Sequence, residues 1–152
     1  MKKLRPVTDL VPHRAGMLLI DELIDDSFEV VKAAVTIRPD HLFLQPQGMP
    51  AWVGVELMAQ TVAAWAGLRR LERGEQIQLG FLLGTRKYEC EVPFFPIGAR
   101  LIMSARQELV SEQGLAVFIC TIELNGKTIA NASVNAFQPP NVQDFFEGLR
   151  NE

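Results

Sequence analysis

His41 and Glu56 are the two side chains in this sequence whose types and surroundings best suit proton transfer. Glu56 lies among Val53, Val55, Leu57 and Met58. An ionised carboxylate buried without partners is costly, so such a group pairs or takes up a proton. A carboxylic acid kept protonated near neutral pH suits general acid work. Gln60 follows at i+4, on the same helical face, where its amide can hold Glu56 by a hydrogen bond. His41 stands in a loop before the helix, and an imidazole titrates near neutrality and can accept a proton from carbon. Plainer readings stand beside these: Glu56 as a structural carboxylate satisfied by a neighbour, His41 as a solvated loop residue. The other histidine, His13, lies between Pro12 and Arg14 and reads as structural or as a hydrogen-bonding partner of the N-terminal segment.

The start of the helix offers a third element. The first backbone N–H groups of a helix lack intrahelical partners and carry partial positive charge. Pro50 suits the first helical position and has no N–H, so Ala51 is expected to be the first free donor. A thioester carbonyl placed there gains stabilisation as its enolate forms. Base, donor and acid between His41 and Glu56 are what elimination of a 3-hydroxyl from a thioester requires. The base takes the C2 proton, the N–H steadies the enolate, and the acid protonates the leaving hydroxyl.

Other elements must hold these residues. From Ala51 to Leu68 the strongly polar side chains are Glu56, Gln60 and Thr61. A helix apolar all round is buried on nearly every side. A membrane span is the competing reading, but the near-central glutamate, the following glutamine and the strand-rich remainder argue against it. Arg69, Arg70, Arg73 and Gly74 close the helix, as its negative C-terminal end favours. Before it, Phe28 to Ile37 alternates like a strand with a bulge near Val31 and Lys32, and Pro39 stops it. After it come the expected strands Leu79 to Leu83, Lys87 to Val92, Leu101 to Val110 and Leu115 to Leu124. Pro93, Pro96 and Gly98 mark a turn, and Asn125-Gly126 is a hairpin signal leading into Lys127 to Phe137. Val142 to Leu149 reads as a short tail helix. The architecture is α+β, with about five or six antiparallel strands wrapped around one long buried helix.

Composition bounds the function. The 152 residues suit one domain spanning 1–152, with no linker or repeat. A net charge of −3 argues against nucleic acid as a partner. Cys90 and Cys120 match no metal or CxxC spacing and read as buried free thiols in a reducing compartment. The start Met-Lys-Lys-Leu-Arg-Pro is followed by no apolar signal region, so a cytoplasmic protein is expected. With two histidines and no ligand cluster, neither metal nor other cofactor is implied.

Four blocks in order resemble the FabZ-like 3-hydroxyacyl-ACP dehydratases of fatty-acid synthesis. They are Pro12-His13-Arg14 with Met17 to Asp21, Met49-Pro50 through Glu56-Leu57-Met58-Ala59-Gln60, Phe81 to Lys87, and Pro93 to Gly98. Trp52-Val53-Gly54-Val55-Glu56 resembles more closely still the ApeP-like dehydratases of aryl polyene and related polyketide pathways. The resemblance implies a hotdog fold and a dimer in which the histidine of one protomer faces the glutamate of the other. It implies Glu56 as the acid or water-binding carboxylate, and Ala51 as the residue whose N–H meets the thioester oxygen, where the family has Gly. The histidine block departs: His41 is one residue further from Met49 than in Gly-His-Phe-Pro-Gly, and ungapped alignment puts Leu42 at the base position. A one-residue bulge restores His41; otherwise the base is absent.

Three functions compete on these residues: an active dehydratase, a non-catalytic or half-site partner of a related hotdog subunit, and a thioesterase using Glu56 to activate water. Fold alone does not separate them. Acyl carrier protein is the expected substrate carrier, with a homodimer or heterodimer as the assembly. Arg69, Arg70, Arg73, Arg86, Lys87 and Arg100 are candidates for a basic landing site, against ordinary solvated surface. Phe81, Phe94, Phe95 and Trp65 read as core before they read as lining of an acyl tunnel.

Overall fold

A computed structural model describes residues 6–9, 18–27, 29–74 and 81–137. The expectations for Pro12, His13, Arg14, Met17, Leu79, Gly80 and the 142–149 tail lie outside the described residues, as does the Phe81 side chain. Among the described residues, eight strands and one long helix follow in the order β1 (Glu22–Asp26), β2 (Val30–Thr36), β3 (Met49–Pro50), α1 (Gly54–Glu72), β4 (Phe81–Cys90), β5 (Phe94–Phe95), β6 (Arg100–Val110), β7 (Leu115–Leu124) and β8 (Lys127–Phe137). Six strands form one antiparallel sheet in the order β1-β2-β6-β7-β8-β4, and β3 pairs with β5 in a separate ribbon.

Period-two patterning sets the sheet's inner face. Val31, Ala33 and Val35 of β2, Leu101, Met103 and Ala105 of β6, and Ala116, Phe118, Cys120 and Ile122 of β7 are all buried. The helix α1 packs against β2, β6, β7 and β8, and of its residues only Glu72 is exposed. This is the hotdog arrangement, and it explains why the helix is apolar on nearly every side. Trp65 bridges the layers, its ring 5.1 Å from that of Phe118. Phe95 is fully buried in the core, while Phe94 is half-buried. Among the described residues no helix is long and apolar enough to cross a membrane.

Several local expectations are corrected. Pro50 is not the first helical residue: it ends β3, and a 3-10 turn at Ala51–Val53 precedes α1. The bulge lies in β1, between Leu23 and Asp25, while β2 pairs with β6 in unbroken register. The two strands expected on either side of Gly84 are one, β4, with irregular pairing at Leu82/Gly84 and Arg86/Glu89. Lys87 takes a left-handed φ of 57° at the second irregularity, so the side-chain alternation resets without ending the strand. The Asn-Gly hairpin forms as read, with φ of 53° at Asn125 and 79° at Gly126.

Candidate active site

Glu56 sits in the first turn of α1 and is half-buried. Gln60, one turn later and fully buried, donates from Nε2 to Glu56 Oε1 at 3.1 Å. The same amide's Oε1 accepts the backbone N–H groups of Leu19 at 2.9 Å and Ile20 at 3.3 Å. Gln60 therefore ties the lead-in segment to the helix and turns one carboxylate oxygen of Glu56 to a fixed position. The expected i,i+4 pair is present; its anchoring to residues some forty positions earlier is new.

His41 lies in the loop between β2 and β3 and is only 9% exposed, so it is not a solvated loop residue. Its backbone N–H donates to the Arg38 carbonyl at 3.1 Å, and its Nδ1 accepts the Arg38 N–H, also at 3.1 Å. Arg38 is fixed in turn by Asp21 at 2.7 Å and Asp40 at 3.3 Å. Nε2 is buried with no hydrogen-bond partner among the described residues. Burial lowers the His41 pKa; the Arg38 guanidinium adds to the lowering, and Asp21 and Asp40 oppose it. Beyond His41 the loop reverses through Phe43, left-handed at φ 67°, and closes with paired 2.9 Å bonds between Gln45 and Gly48. Gly48, at φ 125°, leaves room for the Phe95 carbonyl, which any Cβ there would strike.

Ala51 does not offer the free donor expected of it. Its N–H donates to the Pro93 carbonyl at 3.0 Å, and its carbonyl accepts the Tyr88 hydroxyl at 2.6 Å. Gly54 lies where a Cβ would run into that hydroxyl. Tyr88 and Arg38 thus shape the site without having been singled out in the sequence, and Pro93, read there only as part of a turn, reaches Ala51 across a distance that local spacing does not reveal. Leu42, Phe43 and Trp52 form an exposed apolar group around these elements, with the Phe43 and Trp52 rings 5.2 Å apart, edge to face.

The basic candidates divide. Arg70 is buried, Arg69 is bound to Glu72 at 2.9 Å and to the Ser27 carbonyl at 2.8 Å, and Arg100 pairs with Glu22 at 3.0 Å. Arg69 and Arg70 therefore belong to the packing of the helix end, and Arg73, Arg86, Lys87 and Arg100 are the exposed members of the set.

Comparisons with known proteins place this geometry. The family model described as ApeP-like, ApeP dehydratase, matches residues 5–147. A solved structure, the dehydratase heterocomplex ApeI:P from Xenorhabdus doucetiae, is 31% identical, with a TM-score of 0.87, covering 99% of this chain and all of that one. The 3-hydroxyacyl-[acyl-carrier-protein] dehydratase FabZ of Streptococcus equi subsp. zooepidemicus is 30% identical over 141 residues, covering 88% of this chain and 96% of that protein. A mutant of the phenylacetic acid degradation protein PaaI from Thermus thermophilus shares the fold alone: 19% identity and a TM-score of 0.60 over 77% of this chain and 91% of that one.

Proposed function

The chain belongs to the ApeP-like dehydratase family, and from that membership we propose that it removes water from 3-hydroxyacyl groups on acyl carrier protein. The product is a trans-2-enoyl thioester in fatty-acid-like or aryl polyene synthesis. The observation that carries the reading is the carboxylate of Glu56, held by Gln60 at the start of a buried helix. Elimination needs a base for the C2 proton, an acid for the leaving hydroxyl, and a donor for the thioester oxygen as charge builds there. His41 fills the first role and Glu56 the second. Ala51 N–H, spent on Pro93, does not supply the third as it stands.

A second hotdog subunit is part of the proposal. The similar Xenorhabdus structure is a heterocomplex, and Leu42, Phe43 and Trp52 are 40%, 49% and 58% exposed beside the site, as a subunit contact would favour. A half-site role, in which this chain is active only with its partner, is favoured over independent activity by the occupied Ala51 N–H. The test incubates the purified chain, alone and with a neighbouring hotdog subunit, with 3-hydroxyacyl-ACP and reads products by mass. Enoyl-ACP is expected, lost in Glu56→Gln with the fold intact. Full activity in that variant, or release of free acid in place of enoyl product, refutes the reading.

A further inference from the structure

We propose that Tyr88 is a positioning residue for the dehydration: its hydroxyl, bonded to the Ala51 carbonyl, holds the turn from which Glu56 is presented to the substrate. This rests on the dehydratase reading above and adds a residue to it.

A regular strand would not aim this side chain at the helix. In β4, Thr85 pairs with Val134 and Arg86 with Ser133, so unbroken pairing would set Tyr88 opposite Asn131, an exposed position on the outer face. Glu89 pairs with Asn131 instead. One extra residue is inserted, Lys87 takes its left-handed φ of 57°, and Tyr88 is turned inward to pack against the core. A non-glycine residue in that region is unfavourable and persists where the surroundings compensate it. Bulges of this kind re-aim side chains beside active sites.

The re-aimed hydroxyl donates to the Ala51 carbonyl at 2.6 Å. Gly54 makes room for it, since a Cβ there would strike the hydroxyl. A strained strand residue and a helix start without a side chain thus serve one hydrogen bond. The carbonyl does not need that bond to be satisfied, because Gly54 N–H already donates to it. Phenylalanine at this position would fill the same space and leave no acceptor unpaired. What the hydroxyl adds is position. Ala51 is gripped at its N–H by Pro93 and at its carbonyl by Tyr88, and Glu56 follows in the first turn of α1. The carboxylate is then located twice, through the backbone by Tyr88 and through its own oxygen by Gln60. Burial, with a smaller contribution from Cys90, raises the Tyr88 pKa far above its usual value, so the phenol stays protonated and takes no part in proton transfer.

The test uses the assembly that turns over 3-hydroxyacyl-ACP, with its integrity checked by light scattering. A catalytic group displaced by about 1 Å costs on the order of 100-fold in rate. Tyr88→Phe should therefore lower kcat by about 10- to 100-fold, with KM within about twofold and both limbs of the pH–rate profile in place. Gly54→Ala, which pushes the hydroxyl off the carbonyl from the other side, should show a similar loss. The double variant should be no slower than the slower single one, because both act through one bond. Hydrogen exchange across residues 51–56, read by mass spectrometry, should quicken about tenfold in Tyr88→Phe, while its Tm falls by less than about 5 °C. Wild-type kcat in Tyr88→Phe, a change confined to KM, a shifted pH limb, or losses that multiply in the double variant overturns the proposal. So does a Tyr88→Phe chain that fails to fold, because the hydroxyl would then be structural. If the wild type turns over nothing, the dehydratase reading fails, and the exchange rates alone decide whether Tyr88 holds the turn; unchanged exchange overturns that too.

Discussion

Gln60→Leu removes the side chain that joins the lead-in segment, the central helix and the proposed catalytic carboxylate, while keeping nearly the same volume. Its amide oxygen satisfies the N–H groups of Leu19 and Ile20, two residues each 2% exposed. Leucine leaves both donors buried and unpaired, at about 1–3 kcal/mol each, or about 2–6 kcal/mol together. The lost bond to Glu56 adds little, because that carboxylate is only half-buried and water can replace the amide. For a domain of this size each kcal/mol lowers Tm by roughly 2–4 °C, so a fall of about 5–20 °C is expected by calorimetry at matched concentration. Gln60→Glu separates the two jobs. It keeps an acceptor for Leu19 and Ile20 but sets a second carboxylate against Glu56, so the pair favours holding a shared proton. A proton bound more tightly in the folded than in the unfolded state stabilises at low pH and is lost as pH rises through the pair's folded pKa. The stability deficit of Gln60→Glu against wild type should therefore widen from pH 5 to pH 8. A leucine variant that melts with wild type, or a glutamate variant whose deficit ignores pH, would refute the linking role of Gln60.

Gly54→Ala should destabilise by about 1–3 kcal/mol in urea unfolding, although alanine is the better helix former, because its Cβ would meet the Tyr88 hydroxyl and lie 3.1 Å from Ile122 Cδ1. Adding Tyr88→Phe should recover part of that loss, and a Gly54→Ala variant more stable than wild type would contradict the close packing. Because burial and Arg38 lower the His41 pKa below the usual value of about 6.5, its contribution to stability is present above that pH and lost as pH falls toward the folded value. The decline in Tm from pH 7.5 to pH 5 should be shallower in His41→Gln, and parallel curves would show that His41 is not its source. Trp52→Lys, at a side chain 58% exposed, should leave stability within about 0.5 kcal/mol but abolish association with a second subunit on a sizing column with light scattering. An unchanged complex would place the interface elsewhere.

How legible the fold was depended on whether local patterning or long-range pairing decided each element. Leu115–Leu124 and Lys127–Phe137 were bounded correctly from the sequence, because alternating apolar residues and an Asn-Gly turn are local signals that agree with each other. The first strand was not read, because Glu22, Asp25 and Asp26 are poor strand formers and it forms at a sheet edge, where Glu22 and Asp25 stay in water. The fourth was split at Gly84, a residue type that locally marks a strand end, although the neighbouring strand pairs straight through it at Asn135. Within the site, Glu56 and Gln60 were legible as a pair because helical spacing alone brings them together. The grip of Gln60 on Leu19 and Ile20, and of Tyr88 on Ala51, spans parts of the chain that no local pattern links.

Ala51 shows how two sound local rules can give opposite answers at one residue. The helix rule counts its N–H as unpaired, since nothing within the helix reaches it. The ladder rule counts it as paired, since it follows directly on Met49–Pro50, whose partner strand Phe94–Phe95 begins just after Pro93. The observed bond to the Pro93 carbonyl shows that the ladder prevails, and the Tyr88 hydroxyl holds the other side of the same residue. The entry into the helix is thereby fixed at the point from which Glu56 projects one turn later. A backbone donor spent on that rigidity is not free for the thioester unless the β3–β5 ribbon yields.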